Sequence, residues 1–265
     1  MRFTLAPLGD FDVAAIVAAT IALVAYRTRS LDSGGALAAW FVGTASFGAL
    51  GLGGAAVLLT FFTSSVLLSR IGRTRKRSVL CDVAKADARD ASQVLANGAV
   101  AALCALAALR LGPRYAFAFA GACAAANADT WGTEIGTLVR QWPRSILTLR
   151  PIATGLSGGV TWAGTLAEIA GALALAAVAM FVLDRRMFVA VAVGGMAGAL
   201  IDSMFGASLQ SLRWCPHCNR ATEREPHACG ANTRPVRGIA WLGNDGVNFA
   251  ATLTGAGVAY LLAPM

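Results

Sequence analysis

The sequence predicts an all-α, polytopic transmembrane helical bundle of about eight helices, with its motif-bearing loops on the cytoplasmic side. Composition, the length of the apolar runs and the placement of the basic residues all point there. Of the 265 residues 57% are hydrophobic and only 14% charged, against about 25% charged in a soluble domain. Mean hydropathy is +0.62. The apolar residues come in long unbroken runs, and runs this dense need lipid around them.

The elements follow in order. The first helix is expected at 11–26. Asp10 and Asp12 stand at its start, Arg27 and Arg29 follow, and no A-x-A site stands after it, so it reads as an uncleaved first span. Residues 33–69 carry no charge at all. As one helix that run would be roughly 55 Å long, whereas a bilayer core is about 30 Å thick. Two crossings fit better, 34–50 and 52–69, with the break in the glycine-rich stretch 51–54. Further apolar runs predict helices at 92–111, 115–138, 158–183, 187–211 and 240–262.

Seventeen of the 22 basic residues fall in loops after the first, third, fifth and seventh helices. Arg2, Arg110, Arg114, Arg185 and Arg186 fall on the other side. The positive-inside rule then places the basic loops in the cytoplasm and both termini outside a cell membrane. Topology thereby accounts for the net charge of +8. It gives no reason to expect nucleic acid; anionic headgroups or phosphates suit these loops better. The whole of 1–265 reads as one integral membrane domain, with 212–239 a cytoplasmic loop.

Polar groups at membrane depth are costly and mark function by default. Residues 127–136 (NADTWGTEIG) close an apolar helix, and Asp129 and Glu134 are hard oxygen ligands suited to Mg²⁺. Residues 154–161 (TGLSGGVT) run into a helix, and glycines there let backbone N–H groups approach a phosphate. Thr161, Thr165 and Glu168 would share one face beyond it. Gly194, Gly198, Asp202, Gly206 and Gln210, each four apart, predict a close helix seam that carries a carboxylate. Asn244, Asp245 and Asn248 open the last helix. Lys85, Arg89, Gln93 and Asn97, again four apart, form a basic and amide-rich row. Carboxylates in one place and cations in another suit a metal–nucleotide site, although an interhelical salt-bridge network would leave a similar trace.

Six cysteines occur. Cys81, Cys104 and Cys123 are isolated and read as packing residues. Cys215, Cys218, His227 and Cys229 form C-x2-C followed by H-x-C in one polar loop, a ligand set for tetrahedral Zn²⁺, and a cytoplasmic loop disfavours disulfides. His217 is not expected to be a ligand.

Together these motifs resemble the transmembrane protein 19 family, also called the domain of unknown function 92 family. The matching segments are 60–72 (TFFTSSVLLSRIG), 89–98 (RDASQVLANG), 128–136 (ADTWGTEIG), 158–165 (GGVTWAGT), 201–210 (IDSMFGASLQ) and 244–249 (NDGVNF). A plant member of that family is a phytyl-phosphate kinase, and the CTP-using polyprenol kinases look like distant relatives. The resemblance implies transfer of a phosphoryl group from CTP or another nucleoside triphosphate to an isoprenoid monophosphate. It would assign Asp129, Asp202 and Asp245 to Mg²⁺ with Glu134 in support. Lys76, Arg89, Asn97, Thr161, Asn248 and the turn containing Gly155, Gly158 and Gly159 would contact nucleotide or phosphate. The family pattern reads roughly P-P-G-T-x-G-G where this chain has Ala153-Thr154-Gly155-Leu156-Ser157-Gly158-Gly159, so the glycines remain but the second proline and the threonine do not. Two rival expectations are a transporter or lipid flippase using Glu168 and Asp202, and a membrane assembly factor with a zinc loop for a partner.

Overall fold

The fold is that of a computed structural model, which describes residues 10–74, 76 and 88–264. Lys85 and Cys81 lie outside the described residues. Seven helices are found among the described residues: α1 (Asp10–Arg27), α2 (Ser33–Arg70), α3 (Ala91–Leu111), α4 (Arg114–Gly136), α5 (Trp162–Val182), α6 (Met187–Ser208) and α7 (Asn244–Leu261). Two strands, β1 (Arg144–Ser145) and β2 (Gly159–Val160), pair between α4 and α5. Between α6 and α7, β3 (Leu212–Cys215), β4 (Arg220–Thr222) and β5 (Arg234–Arg237) form a sheet of order β4-β3-β5.

The expected pair of helices over 34–69 is one 38-residue element broken at Gly51, whose φ of 59° and ψ of −151° are not helical. The break is sharp. A Cβ at Gly54 would lie 2.5 Å from the Ser46 carbonyl oxygen, so the second arm returns against the first. At the far ends, Arg70 Nη2 donates to Ser30 Oγ at 3.3 Å, which brings both ends of α2 to the same end of the bundle. The eight expected segments are thus seven helices, one of them a hairpin of two arms. Gly51 turns the chain because its left-handed φ needs a residue without a side chain.

Boundaries differ where polar residues take over from helix. The helix expected from 158 begins at Trp162, because Thr161 is its N-cap and accepts from Gly164 N at 3.0 Å. The row Lys85, Arg89, Gln93, Asn97 is not one helical face. Asp90 caps α3 with a reciprocal capping box to Gln93, so Arg89 lies before the helix. There its backbone bridges Leu31.

α2, α3, α5 and α6 are long and apolar enough to cross a membrane. The bundle is small inside and large outside. From Ala116 to Ala128 every residue of α4 is buried, most of them alanines. Leu52, Leu103, Phe181, Val189 and Leu261 point outward and are more than 60% exposed, a distribution that suits a lipid surround. Trp142, Trp162 and Trp241 are also exposed. All three stand at the end of the bundle that carries the loops, where an interfacial aromatic belt is expected.

The seam predicted from the glycine spacing exists. Gly121 of α4, Gly194 of α6 and Gly255 of α7 meet at one crossing. A Cβ at Gly255 would be 2.6 Å from the Gly121 carbonyl oxygen, and one at Gly194 would be 2.6 Å from that of Gly255. Gly255→Leu is therefore expected to destabilise the bundle by on the order of 1–3 kcal/mol or more through overpacking. Gly257→Leu, where a Cβ meets nothing within 4 Å, should not. Thermal unfolding of both variants in detergent measures the contrast.

Candidate active site

The glycine seam draws α4, α6 and α7 together, and α5 packs on α4. Gly132 lets α5 come so close that a Cβ there would be 2.4 Å from Glu168 Cγ, so the Glu168 side chain lies across α4. At this end of the bundle a polar cavity of about 530 Å³ opens. Its walls include Asp129, Thr133 and Glu134 from α4, Glu168 from α5, Asp202 from α6, and Asp245 and Asn248 from α7. Gly155, Gly158, Gly159 and Thr161 close one side; Arg89, Gln93 and Asn97 close another. All the sequence-predicted site residues of the helices and the glycine turn, except Lys76, converge on this cavity.

The Asp129 and Asp202 side chains approach each other, and Asp202 Oδ1 is buried without a hydrogen-bond partner. Among the described residues, five carboxylates line the cavity against one guanidinium, that of Arg89. Clustered buried carboxylates repel one another and are each stabilised by a cation. A pair of hard oxygen ligands such as Asp129 and Asp202 suits a divalent ion that takes its other ligands from phosphate and water; Glu168 and Asp245 line the same cavity.

Lys76 stands behind the wall rather than in it. It is buried, donates to the Leu68 carbonyl oxygen at 2.7 Å, and forms an ion pair with Glu134. This pair neutralises Glu134 and fastens the end of α4 to the chain that follows α2. Thr161 has its hydroxyl on the α5 cap. Asn97 donates to the Gln93 carbonyl oxygen at 2.9 Å, and Asp245 accepts from Ser92 Oγ at 2.8 Å. The Arg89 guanidinium donates to Ser65 Oγ at 2.6 Å. Burial pulls it below its ordinary value, and the charge of Glu134 opposes that shift.

Deeper in, Asn127 is fully buried. It accepts from Ser64 Oγ at 2.9 Å and donates to the Gly171 carbonyl oxygen at 2.8 Å, while Trp131 Nε1 donates to Ser64 Oγ at 3.1 Å. This network locks α2, α4 and α5 in register just below Asp129.

A second cavity, of about 140 Å³, lies among α1, α2 and α3. Val17, Ala18, Ile21, Ala22, Val42, Phe47 and Phe62 are among its walls. Arg89, Gln93, Asn97 and Thr130 line both cavities, so the apolar space meets the polar one at those four residues. No sequence motif announces it, because apolar residues spread over three helices carry no periodic mark of a cavity.

The glycine turn is held from outside the helices. Glu223, which follows β4, accepts from the Ser157 backbone N–H at 2.7 Å and from Gln210 Nε2 at 3.0 Å, and Gln210 Nε2 also donates to Ser157 Oγ at 2.8 Å. Burial raises the Glu223 carboxyl above its ordinary range, with the Ser157 N–H opposing. Sequence reasoning missed Glu223, whose only signal was its position after the second cysteine of the loop. It also placed Glu168 only in the rival transport reading, although that carboxylate faces the same cavity as Asp129.

The four expected loop ligands Cys215, Cys218, His227 and Cys229 come together, with their ligand atoms all within 4.8 Å of one another. His217 is not in that group. His227 Nδ1 lies 3.1 Å from Cys229 Sγ, and that hydrogen bond holds the Cys229 thiol down at about 6.

The model of a family described as integral membrane protein DUF92 matches residues 16–256. Protein PGR of Arabidopsis thaliana is 31% identical over 268 residues, which cover 91% of each chain. An uncharacterised membrane protein of Methanocaldococcus jannaschii is 32% identical, covering 74% of this chain and 81% of its own. One from Synechocystis is 27% identical, covering 83% and 78%. No solved structure matches the chain. With the family model reaching from within α1 to within α7, over most of the chain, the chain belongs to the DUF92 integral membrane family.

Proposed function

We propose that this chain is a membrane-embedded kinase. It would move the γ-phosphoryl group of CTP or another nucleoside triphosphate onto an isoprenoid monophosphate of the phytyl type, giving the diphosphate. The observation that carries this reading is the junction of the two cavities at Arg89, Gln93, Asn97 and Thr130. An apolar space opening beside a carboxylate-rich one suits a molecule with a hydrocarbon tail and a phosphate head. The positive-inside rule puts that polar end in the cytoplasm of a cell membrane, where nucleotides are found.

In the reaction an oxygen of the acceptor phosphate attacks the γ-phosphorus. A new P–O bond forms, the bond from the γ-phosphorus to the bridging oxygen breaks, and the nucleoside diphosphate leaves with that electron pair. The second ionisation of a phosphate monoester falls near pH 6. The attacking oxygen is therefore already largely ionised at neutral pH, and no strong general base is needed. Catalysis is then positioning and charge neutralisation. Asp129 and Asp202, with Asp245 at the same cavity, would hold Mg²⁺, which would neutralise charge on the phosphate oxygens. Arg89 holds the acceptor head at the cavity junction, the glycine turn limits where phosphates sit, and Asn248 and Glu134 complete the walls. A transporter would place its binding groups near the midplane; here they collect at one end.

The test is purified protein in lipid nanodiscs with γ-labelled CTP or ATP, Mg²⁺ and prenyl monophosphates from isopentenyl to phytyl. Transfer that requires both Mg²⁺ and the prenyl phosphate is expected; no transfer with any donor would overturn the reading. Chain length gives a sharper check. A tail moving from lipid into an apolar cavity gains little hydrophobic energy, since both surroundings are equally apolar, so the cavity selects by shape. Ala22→Phe, which narrows it, is expected to lower kcat/KM for the phytyl substrate by about tenfold or more while sparing the isopentenyl one.

A further inference from the structure

We propose that Cys215, Cys218, His227 and Cys229 hold one structural zinc ion, and that the loop so ordered is a positioning element gripping the glycine turn through Glu223. The metal half stands on the loop's own geometry. The positioning half rests on the kinase reading above.

A zinc ion bound at about 2.3 Å to each sulfur sets the sulfurs about 3.8 Å apart at the corners of a tetrahedron. Cys215 Sγ and Cys229 Sγ are 3.7 Å apart. The His227 nitrogen, at 3.1 Å from Cys229 Sγ, needs to retreat by about half an ångström to match its own corner. Four protein ligands leave no open position, which is the mark of a structural site and not a catalytic one.

The backbone is shaped to match. Cys215 ends β3, and the Cys218 backbone N–H donates to its sulfur at 3.4 Å. The residues that follow the second and the last cysteine, Asn219 and Gly230, both take left-handed φ, 53° and 81°. Asparagine and glycine tolerate that conformation best, and in both places it turns the chain tightly around the sulfurs. The sheet they staple is too small to hold itself together. From 212 to 237 the larger apolar side chains are only Leu212, Trp214 and Val236, and a segment of this size usually needs a metal or a disulfide.

From the knuckle to the glycine turn is a short path. Cys215 pairs with Arg220 across β3 and β4, and Glu223 follows β4 directly. Its carboxylate takes the Ser157 N–H and the Gln210 amide. On the opposite side Gly158, at φ 79°, is pressed on α6 so closely that a Cβ would be 2.4 Å from Ala207 N. The turn is therefore held between α6 and the loop, and loss of the metal releases the loop's side of that hold.

The experiment uses full-length protein purified in detergent without a polyhistidine tag. Elemental analysis is expected to give about one zinc per chain, falling several-fold in Cys218→Ser. Stripping the wild type with a chelator should speed hydrogen exchange of 153–160 by about tenfold, and added Zn²⁺ should restore it. This reversible step serves even if Cys218→Ser does not fold. Glu223→Ala should reproduce the faster exchange with zinc content unchanged, and Glu223→Gln, which keeps an acceptor for Ser157, should largely rescue it. In the kinase assay Glu223→Ala should raise KM for the nucleotide more than it lowers kcat. Wild-type protein with no stoichiometric zinc overturns the metal half. Unchanged exchange of 153–160 after stripping overturns the positioning half. Zinc with coupled exchange but no phosphoryl transfer upholds the metal and its grip, and removes only the kinase reading.

Discussion

Asp129→Asn is expected to abolish phosphoryl transfer, by about 10³-fold or more, while the protein stays folded in the membrane. Asparagine keeps the shape of the side chain and one of its oxygens but loses the charge. Asp129 and Asp202 face each other at the centre of the polar cavity, and a divalent ion there depends on their combined charge. The substitution also removes a buried charge and its repulsion from Asp202, so stability should hold or rise. Glu168→Gln separates this mechanism from transport. Glu168 lies across Gly132, seven residues and about 10 Å along α5 from Thr161. As a kinase the protein should suffer less from Glu168→Gln than from Asp129→Asn. As a proton- or cation-coupled transporter it should suffer more, because an intramembrane carboxylate at that depth would carry the coupling ion. Kinase and flux assays on both variants, at matched membrane abundance, give the order. Wild-type kinase activity in Asp129→Asn would end the mechanism.

The membrane class and the convergence of the polar motifs were both legible in the sequence, for the same reason. In a chain whose interior helix faces are alanine and glycine, each carboxylate stands out against its surroundings. The break at Gly51 could be placed because a charge-free run of that length outruns a bilayer. Its sharpness could not, since it depends on one φ angle and on Gly54 packing against Ser46. Roles were harder to read than places. Lys76 looks like a phosphate ligand by residue type, yet its ammonium pairs with Glu134, and no spacing rule reports which of two opposite charges a lysine meets. Arg89 looks like one turn of a helix with Gln93 and Asn97, yet the capping box at Asp90 starts the helix after it. Glu223 was invisible because its meaning comes from a fold-back that sets β4 beside the glycine turn, more than sixty residues earlier.

These placements share a physical logic. Carboxylates are brought close enough to repel one another, and the fold supplies the restraints that make such closeness tolerable. Lys76 takes the charge of Glu134. Asn127 ties α2 and α5 to α4 just below Asp129. Glu223, beside the glycine turn, accepts from a backbone N–H and an amide, which hold its carboxylate in place. Among the described residues, what remains lining the cavity is a set of acids with one guanidinium at the edge, where the proposed kinase would take its anionic head.

Arg89→Gln is accordingly expected to lower kcat/KM for the prenyl phosphate by about 10²–10³-fold, with Arg89→Lys in between. The backbone of Arg89 is fixed before its side chain is considered. Its N–H donates to the Ser30 carbonyl oxygen at 3.1 Å, and its own carbonyl oxygen accepts from Asp32 N at 3.0 Å. Gly35 leaves room for that carbonyl, where a Cβ would intrude to 2.2 Å. The guanidinium then reaches Ser65 on the second arm of α2 with one nitrogen, and stands where the apolar and polar cavities meet. A lysine keeps the charge but loses the planar fork that can hold Ser65 and a phosphate together, so it should recover only part of the loss. Glutamine can still bond Ser65, so the fold should persist, with a thermal midpoint near that of wild type. The loss should appear mainly as weaker prenyl-phosphate binding, with KM for the nucleotide little changed. Arg89→Gln protein that binds and turns over the prenyl phosphate like wild type would show that the acceptor head lies elsewhere in the cavity.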